Sequence, residues 1–206
     1  MKAEQKDYFA EKAGDYDGKK SRTENVDNIA QTILNEISFS KEMHIMDFGS
    51  GTGLLTSNIA PHVGKITAVD VSKAMIEVLQ SKKHLIDCEL QIVELDLTKE
   101  TLSTKFDAII SSMTIHHIKD VQDIFNKFYS LLDDNGTIAI ADLDKEDGSF
   151  HSEDTGVFHF GFDRNEFMKI AANAGFKDLK IQTASTINKE TGNYSVFLLT
   201  GKKITT

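Results

Sequence analysis

His44-Ile45-Met46-Asp47-Phe48-Gly49-Ser50-Gly51-Thr52-Gly53 is an apolar run that opens into three alternating glycines. Its first half has strand character, and Leu54 starts a helix expected over residues 54–62. Glycine lets the backbone turn sharply and lets a ligand approach the main chain where a Cβ would block it. The helix that follows offers unpaired N–H groups and the positive end of its dipole. Strand, glycine loop and helix in this order suit a nucleotide-like ligand.

Outward from this stretch, strands keep ending in polar groups. Lys65-Ile66-Thr67-Ala68-Val69 is a second strand ending in Asp70. An acid about 20 residues past a glycine loop, at a strand end, is placed to hold a ribose diol. Leu90-Gln91-Ile92-Val93-Glu94-Leu95 leads to Asp96 and Leu97. Phe106-Asp107-Ala108-Ile109-Ile110 delivers Ser111 and Ser112 before Met113-Thr114-Ile115-His116-His117, and Thr137-Ile138-Ala139-Ile140-Ala141 ends at Asp142. Strands alternating with helix-length segments imply a parallel sheet with helices on both faces.

Local signals fill in the connections. Ser72 is a predicted N-cap for the helix carrying Met75, Ile76, Val78 and Leu79. A helix over 119–132 precedes Asp134-Asn135-Gly136, the expected turn into the fifth strand. Asp163 and Glu166 are spaced as a capping box for a helix through residue 174, with Gly175 as its stop. Leu179-Lys180-Ile181-Gln182-Thr183 and Ser195-Val196-Phe197-Leu198-Leu199 have no helix-length segment between them and should pair antiparallel. Ahead of the first strand, helical pieces are expected over 3–13 and 24–37, separated by the turn Gly14-Asp15-Tyr16-Asp17-Gly18.

The glycine spacing separates two ligand classes. Dinucleotide-binding domains carry G-x-G-x-x-G, whereas here the third glycine is already Gly53 and Leu54 stands where that pattern needs glycine. The D-x-G-x-G-x-G run from Asp47 to Gly53, the acidic strand ends Asp70 and Asp96, and F-D-A-I-I-S-S at 106–112 resemble the class I S-adenosylmethionine-dependent methyltransferases. The resemblance covers about residues 3–203, within the small-molecule enzymes of the ubiquinone/menaquinone-biosynthesis type. It implies an α/β, Rossmann-like fold: a seven-stranded, mostly parallel sheet with helices on both faces and an antiparallel C-terminal strand. The implied cofactor is S-adenosyl-L-methionine.

The same resemblance distributes roles. The methionine portion of the cofactor should lie over the backbone of Gly49, Gly51 and Gly53, with Ser50 and Thr52 adding donors. Asp47 either orients the loop and reaches the cofactor amine through water, or is a structural turn carboxylate. Asp70 is the ribose clamp, since a carboxylate accepts from two hydroxyls at once. Val71 and Met75 pack on adenine or ribose, or else belong to the core. Asp96, with Leu97 beside it, meets the adenine amino group. Ser111 should turn its carbonyl towards the cofactor ammonium, next to Met113. Tyr8-Phe9-Ala10-Glu11-Lys12-Ala13-Gly14-Asp15-Tyr16-Asp17 is similar to the family's F-x-x-x-A-x-x-Y-D element and makes Tyr16 a cofactor or substrate contact. Arg22 either pairs the methionine carboxylate or is a surface residue.

Methyl transfer from a sulfonium is an in-line displacement, so alignment and a water-poor site supply most of the effect. A base is required only where the nucleophile must lose a proton. His116 and His117 are the candidates, and imidazole titrates in the useful range; the resemblance also implies that His116, the first of the two, lines the cofactor pocket. Neighbouring positions should not face the same way, so at most one is expected to act. The long connector at 143–162 reads as a substrate loop with His151 and His159, or as a plain surface loop. Asp142, His151 and His159 lack a ligand spacing, so no metal is assigned.

Composition narrows the class further. At 206 residues the chain is expected to be one domain, 1–206, with a helical cap over 1–40. A net charge of −9 without a long Lys/Arg cluster argues against nucleic acid. No apolar run reaches membrane-spanning length, Met1 to Asp7 lacks a signal-peptide core, and the lone Cys88 excludes an internal disulfide. The absence of an N/D-P-P-Y/F motif after the fourth strand argues against amino-methylation of nucleic acid. What remains is a cytoplasmic monomer or homodimer acting on a small-molecule methyl acceptor. A nicotinamide-dependent oxidoreductase and a non-catalytic S-adenosylmethionine-binding regulator are the rivals.

Overall fold

The computed structural model describes residues 7–151 and 155–204. Seven strands form one sheet in the order β3-β2-β1-β4-β5-β7-β6. They are β1 (His44–Phe48), β2 (Lys65–Asp70), β3 (Glu89–Glu94), β4 (Phe106–Ser112), β5 (Leu132–Leu143), β6 (Lys177–Lys189) and β7 (Gly192–Lys202). Strands β3, β2, β1, β4 and β5 run parallel, and β7 is antiparallel to both β5 and β6. The reversal of strand order between β1 and β4 is where a ligand crevice opens at the carboxyl ends of such a sheet.

Alternation along the strands builds two cores. Ile45, Ile66, Ala68, Ala108 and Ile110 face α1 (Lys20–Glu36), α2 (Leu54–Ile59) and α3 (Lys73–Lys82). Met46, Val69, Ile109, Ile138 and Ile140 face α4 (Val121–Leu131) and α5 (Arg164–Asn173). A one-residue slip in any central strand would exchange its two faces, so the register is strongly specified. Ser72, Asp120 and Asp163 cap α3, α4 and α5 through their side chains, Asp163 accepting from the N–H groups of Asn165 and Glu166.

The sheet follows the sequence closely, with informative departures. Asp134-Asn135-Gly136 does not end before the fifth strand but lies inside β5. Residues 106 to 108 of β4 face residues 132 to 137 of β5, a bulge accommodated by Asn135 at φ 65°. Asn135 N–H donates to the Lys203 carbonyl and Lys203 N–H to that of Gly136, so β7 holds the irregular segment in the sheet. Residues 13–18, expected as an open turn, wind into a 3-10 helix, and α1 starts four residues earlier than its apolar spacing suggested. The expected helix over 3–13 falls partly outside the described residues; residues 8–12 of it are turns. No helix among the described residues is long and apolar enough to cross a membrane.

Candidate functional site

Gly49, Gly51 and Gly53 all adopt positive φ, at 69°, 53° and 85°, a region costly for side chains. Their surroundings differ. A Cβ on Gly49 would fall 2.2 Å from Thr114 Oγ1, and one on Gly53 would fall 2.3 Å from Leu79 Cδ1, whereas a Cβ on Gly51 would meet nothing within 4 Å. Two glycines therefore permit packing, and the middle one presents bare backbone to open space.

Asp70 ties this loop to the next strand. Its Oδ2 accepts from Gly51 N–H at 2.7 Å and its Oδ1 from Ser72 N–H at 2.8 Å. Burial raises its pKa, against the pull of those backbone donors. Each carboxylate oxygen keeps a further lone pair for a hydroxyl donor. Ser50 Oγ and Ser112 Oγ, on either side of the crevice, are buried without a hydrogen-bond partner. Such groups are costly unless something completes them. Met113 between Ser112 and Thr114 takes φ 57°, a strained value for a side chain of its size.

Asp47 is fully buried and accepts from Thr56 Oγ1 at 2.5 Å, linking β1 to α2. Burial pushes its pKa up to about 7. Ser111 is equally interior, its hydroxyl donating to the Phe48 carbonyl at 2.7 Å. Met75 is buried, while Val71 is 53% exposed at the rim. Asp96 accepts from Thr98 N–H and Thr98 Oγ1 and pairs with Lys99 at 2.6 Å. Burial acts to raise its pKa, but these partners outweigh it and the value is lowered. Leu97 belongs to the core on the α4 side, and its carbonyl accepts from Lys127.

The N-terminal segment straps the crevice. Asp7 accepts from Ser72 Oγ at 2.8 Å, the Phe9 ring meets His117 edge-on at 5.4 Å, and Asp17 bridges Thr52 Oγ1 and Lys82 Nζ, both at 2.5 Å. The Tyr16 hydroxyl pKa is raised by burial and further by Asp70 and Asp17, with Arg22 acting against it, so Tyr16 stands near the acidic end of β2. Arg22 lies over the Tyr16 ring at 4.0 Å and donates to its backbone carbonyl.

The histidines correct one expectation. His116 and His117 do not point apart, because residues 115–117 form a 3-10 turn that brings their ring centroids to 4.3 Å. His151, from the loop after β5, joins them at 5.3 Å from His116 and 6.3 Å from His117. Burial drives His117 and His151 down to about 4, helped by the adjacent His116. His159 faces elsewhere, against the Ile118 carbonyl and the Phe162 ring. An open concavity of about 800 Å³ lies on that side, between Phe158, Phe160 and the starts of α4 and α5, away from the glycine loop.

Asp142, set aside as a poor metal ligand, turns out to be the partner of His116: Nδ1 to Oδ1 is 2.6 Å. The signal was present in outline, since two neighbouring parallel strands end at 112 and 143. Thr114 against Gly49 and Asp7 on Ser72 had no sequence signal, for both depend on chain reversals that residue spacing does not encode.

A family model described as a methyltransferase domain matches residues 46–138. An uncharacterized methyltransferase of Schizosaccharomyces pombe is 32% identical over 179 residues, covering 79% of this chain and 61% of that protein. A ubiquinone biosynthesis O-methyltransferase of Pelagibacter ubique is 28% identical over 107 residues, covering 51% and 44%. The chain thus spans less than two thirds of the length of these curated relatives. Among solved structures, Haemonchus contortus phosphoethanolamine N-methyltransferase 2, in complex with S-adenosyl-L-methionine, superposes with a TM-score of 0.72 at 18% identity. That match covers 86% of this chain and 53% of the other. The bare Gly51 backbone, the lone pairs of Asp70 and the unpartnered Ser50 and Ser112 hydroxyls fit the cofactor of that family. In these matches and in its sheet order the chain is similar to the class I S-adenosylmethionine-dependent methyltransferases.

Proposed function

We propose that this protein binds S-adenosylmethionine along the carboxyl edge of β1, β2 and β4 and transfers its methyl group to a small-molecule acceptor. The observation that carries this is the hydrogen bond from Gly51 to Asp70, which sets a carboxylate beside open, left-handed backbone. In this reading Asp70 holds the ribose diol and Asp96 the adenine edge, with Val71, Met75 and Leu97 around the base. Gly49 to Gly53, Ser50, Ser111 and Met113 surround the methionine portion, and Tyr16 closes over it. The bound cofactor supplies an electrophilic methyl group; the chain supplies alignment and exclusion of water. A small acceptor is supported by the strap from Asp7 to Asp17, which already touches Ser72, Thr52 and His117. The O-methyltransferase relative supports it too.

Calorimetric titration with S-adenosylmethionine, S-adenosylhomocysteine and NADH tests the proposal. Selective binding of the two sulfur nucleotides is expected, and binding of NADH alone would overturn it. A regulator without turnover would bind both yet methylate nothing in an acceptor screen.

A further inference from the structure

Asp142 and His116 form a buried pair between the end of β5 and the 3-10 turn that follows β4. Asp142 has no exposed surface and His116 has 2%. Three N–H donors converge on the carboxylate: His116 Nδ1 at 2.6 Å and Leu143 N–H at 2.7 Å on Oδ1, and His116 N–H at 3.1 Å on Oδ2. The His116 carbonyl in turn accepts from the N–H groups of Phe158 at 2.9 Å and His159 at 3.2 Å. The residue is thus fixed at its amide, its carbonyl and one ring nitrogen. A buried ionisable pair adds little stability over apolar residues of equal volume. Its geometry does have a chemical consequence: a carboxylate that accepts from Nδ1 fixes the neutral imidazole's proton there and leaves the lone pair on Nε2.

The side chains facing the pair are His117 on the same turn and His151 from the connector, with Lys12 and Lys189 near His151, while His159 reaches it only through its backbone N–H. His117 and His151 remain neutral near pH 7, which leaves His116 as the imidazole with a counter-charge beside it.

We infer that Asp142 is a positioning residue that directs His116 Nε2 to take the proton of the methyl acceptor, and that the acceptor is accordingly a hydroxyl compound. The inference rests on the methyl-transfer reading above. The acceptor oxygen forms its new bond to carbon with a lone pair, and the electrons of its O–H bond stay on oxygen. The proton passes to His116, and sulfur departs as a neutral thioether with the pair from the broken S–C bond. Positive charge is thereby moved from sulfur to an imidazole lying against Asp142. An acceptor without a proton to lose, such as a tertiary amine, would gain nothing from the pair.

Nitrogen-15 NMR of the free protein reads the tautomer directly, and the expected form of neutral His116 carries its proton on Nδ1. An Nε2–H tautomer would overturn the assignment without any variant or cofactor. Turnover is then compared with catechol and N,N-dimethylaniline as probes. Catechol should be preferred, with His116→Gln slower by about 10²–10⁴-fold. Asp142→Asn should be at least about tenfold slower in kcat with a displaced acidic limb of the pH profile, while S-adenosylhomocysteine affinity changes less than about threefold. Preference for the amine, or an unchanged pH profile in Asp142→Asn, sinks the inference alone. Failure of the wild-type protein to bind S-adenosylhomocysteine, or to methylate either probe, sinks the methyl-transfer reading and this one with it.

Discussion

Gly51 donates its amide N–H to Asp70 Oδ2 at 2.7 Å, so the middle of the glycine loop is held by the acid at the end of the neighbouring strand. The same carboxylate steadies the loop and, in the proposed function, receives the ribose hydroxyls. Asp70→Ala is therefore expected to weaken S-adenosylhomocysteine binding by the value of hydrogen bonds to a charged group, about 1.5–3 kcal/mol, or roughly ten- to a hundredfold. Calorimetry on the folded variant checks this, and unchanged affinity removes Asp70 from the site.

The three glycines should separate in their responses. Alanine at any of them bears a left-handed penalty of about 1–2 kcal/mol. At Gly49 and Gly53 the new methyl also overlaps Thr114 and Leu79, which adds about 1–3 kcal/mol of overpacking. Gly51→Ala has no such overlap, so it should be the most stable of the three in urea denaturation. It should nevertheless lose at least about tenfold in cofactor affinity, because its methyl projects into the open space the ligand would fill. Full affinity in Gly51→Ala would place the ligand elsewhere.

Stability should respond to pH through groups of opposite sign. Asp47 titrates at about 7 in the fold against an ordinary 3.8, so the native state holds its proton more tightly than the unfolded chain. Stability is then lost as pH rises from about 4 to about 7. His117 and His151 are lowered from 6.5 to about 4, so their contribution is lost as pH falls through that interval. Asp47→Asn keeps an acceptor for Thr56 and should gain on the wild type as pH goes from 5 to 8. His151→Gln should gain as pH goes from 7 to 4.5. Parallel urea midpoints for either variant and the wild type across these ranges would contradict the corresponding assignment.

Periodic and short-range features were legible in the chain. β2 matches its expected span to within its terminal acid, and Ser72 and Asp163 cap the helices whose starts they mark. The C-terminal pair was recognisable because nothing between residues 183 and 195 is long enough for a crossover helix; it continues into a hairpin whose strands end at Lys189 and Gly192. The site was legible where it hangs on strand ends, as at Asp70. It was not legible where side chains meet through irregular backbone. The 3-10 turn at 115–117 sets two adjacent histidines side by side, and Asp142 meets His116 only because β4 and β5 are neighbours. The strap likewise depends on contacts 35 and 65 residues apart, Thr52 with Asp17 and Ser72 with Asp7.

The connector after β5 is closed at its base by Arg164, and this yields a last prediction. Arg164 Nε and Nη2 grip the two oxygens of Asp144 at 2.7 and 2.6 Å, while Nη2 also reaches Thr183 and Ser195. Asp144 bridges to Phe162, Lys145 N–H donates to the Phe162 carbonyl and Glu146 N–H to that of Phe160, so the two arms are stitched for several residues. His151 rides on this connector. Arg164→Ala removes the fork and leaves Asp144 without it, costing about 1–3 kcal/mol. Arg164→Lys should not restore it, because an ammonium cannot grip two oxygens in parallel. Limited proteolysis should cut between residues 145 and 161 faster in both variants, and His151 should lose its contact shift from His116 in the NMR spectrum. S-adenosylhomocysteine affinity should stay within about threefold, since Gly51 lies in the loop after β1 and Asp70 at the end of β2, away from this connector. Equal cleavage rates in wild type and Arg164→Ala would mean that the backbone stitching alone holds the connector shut.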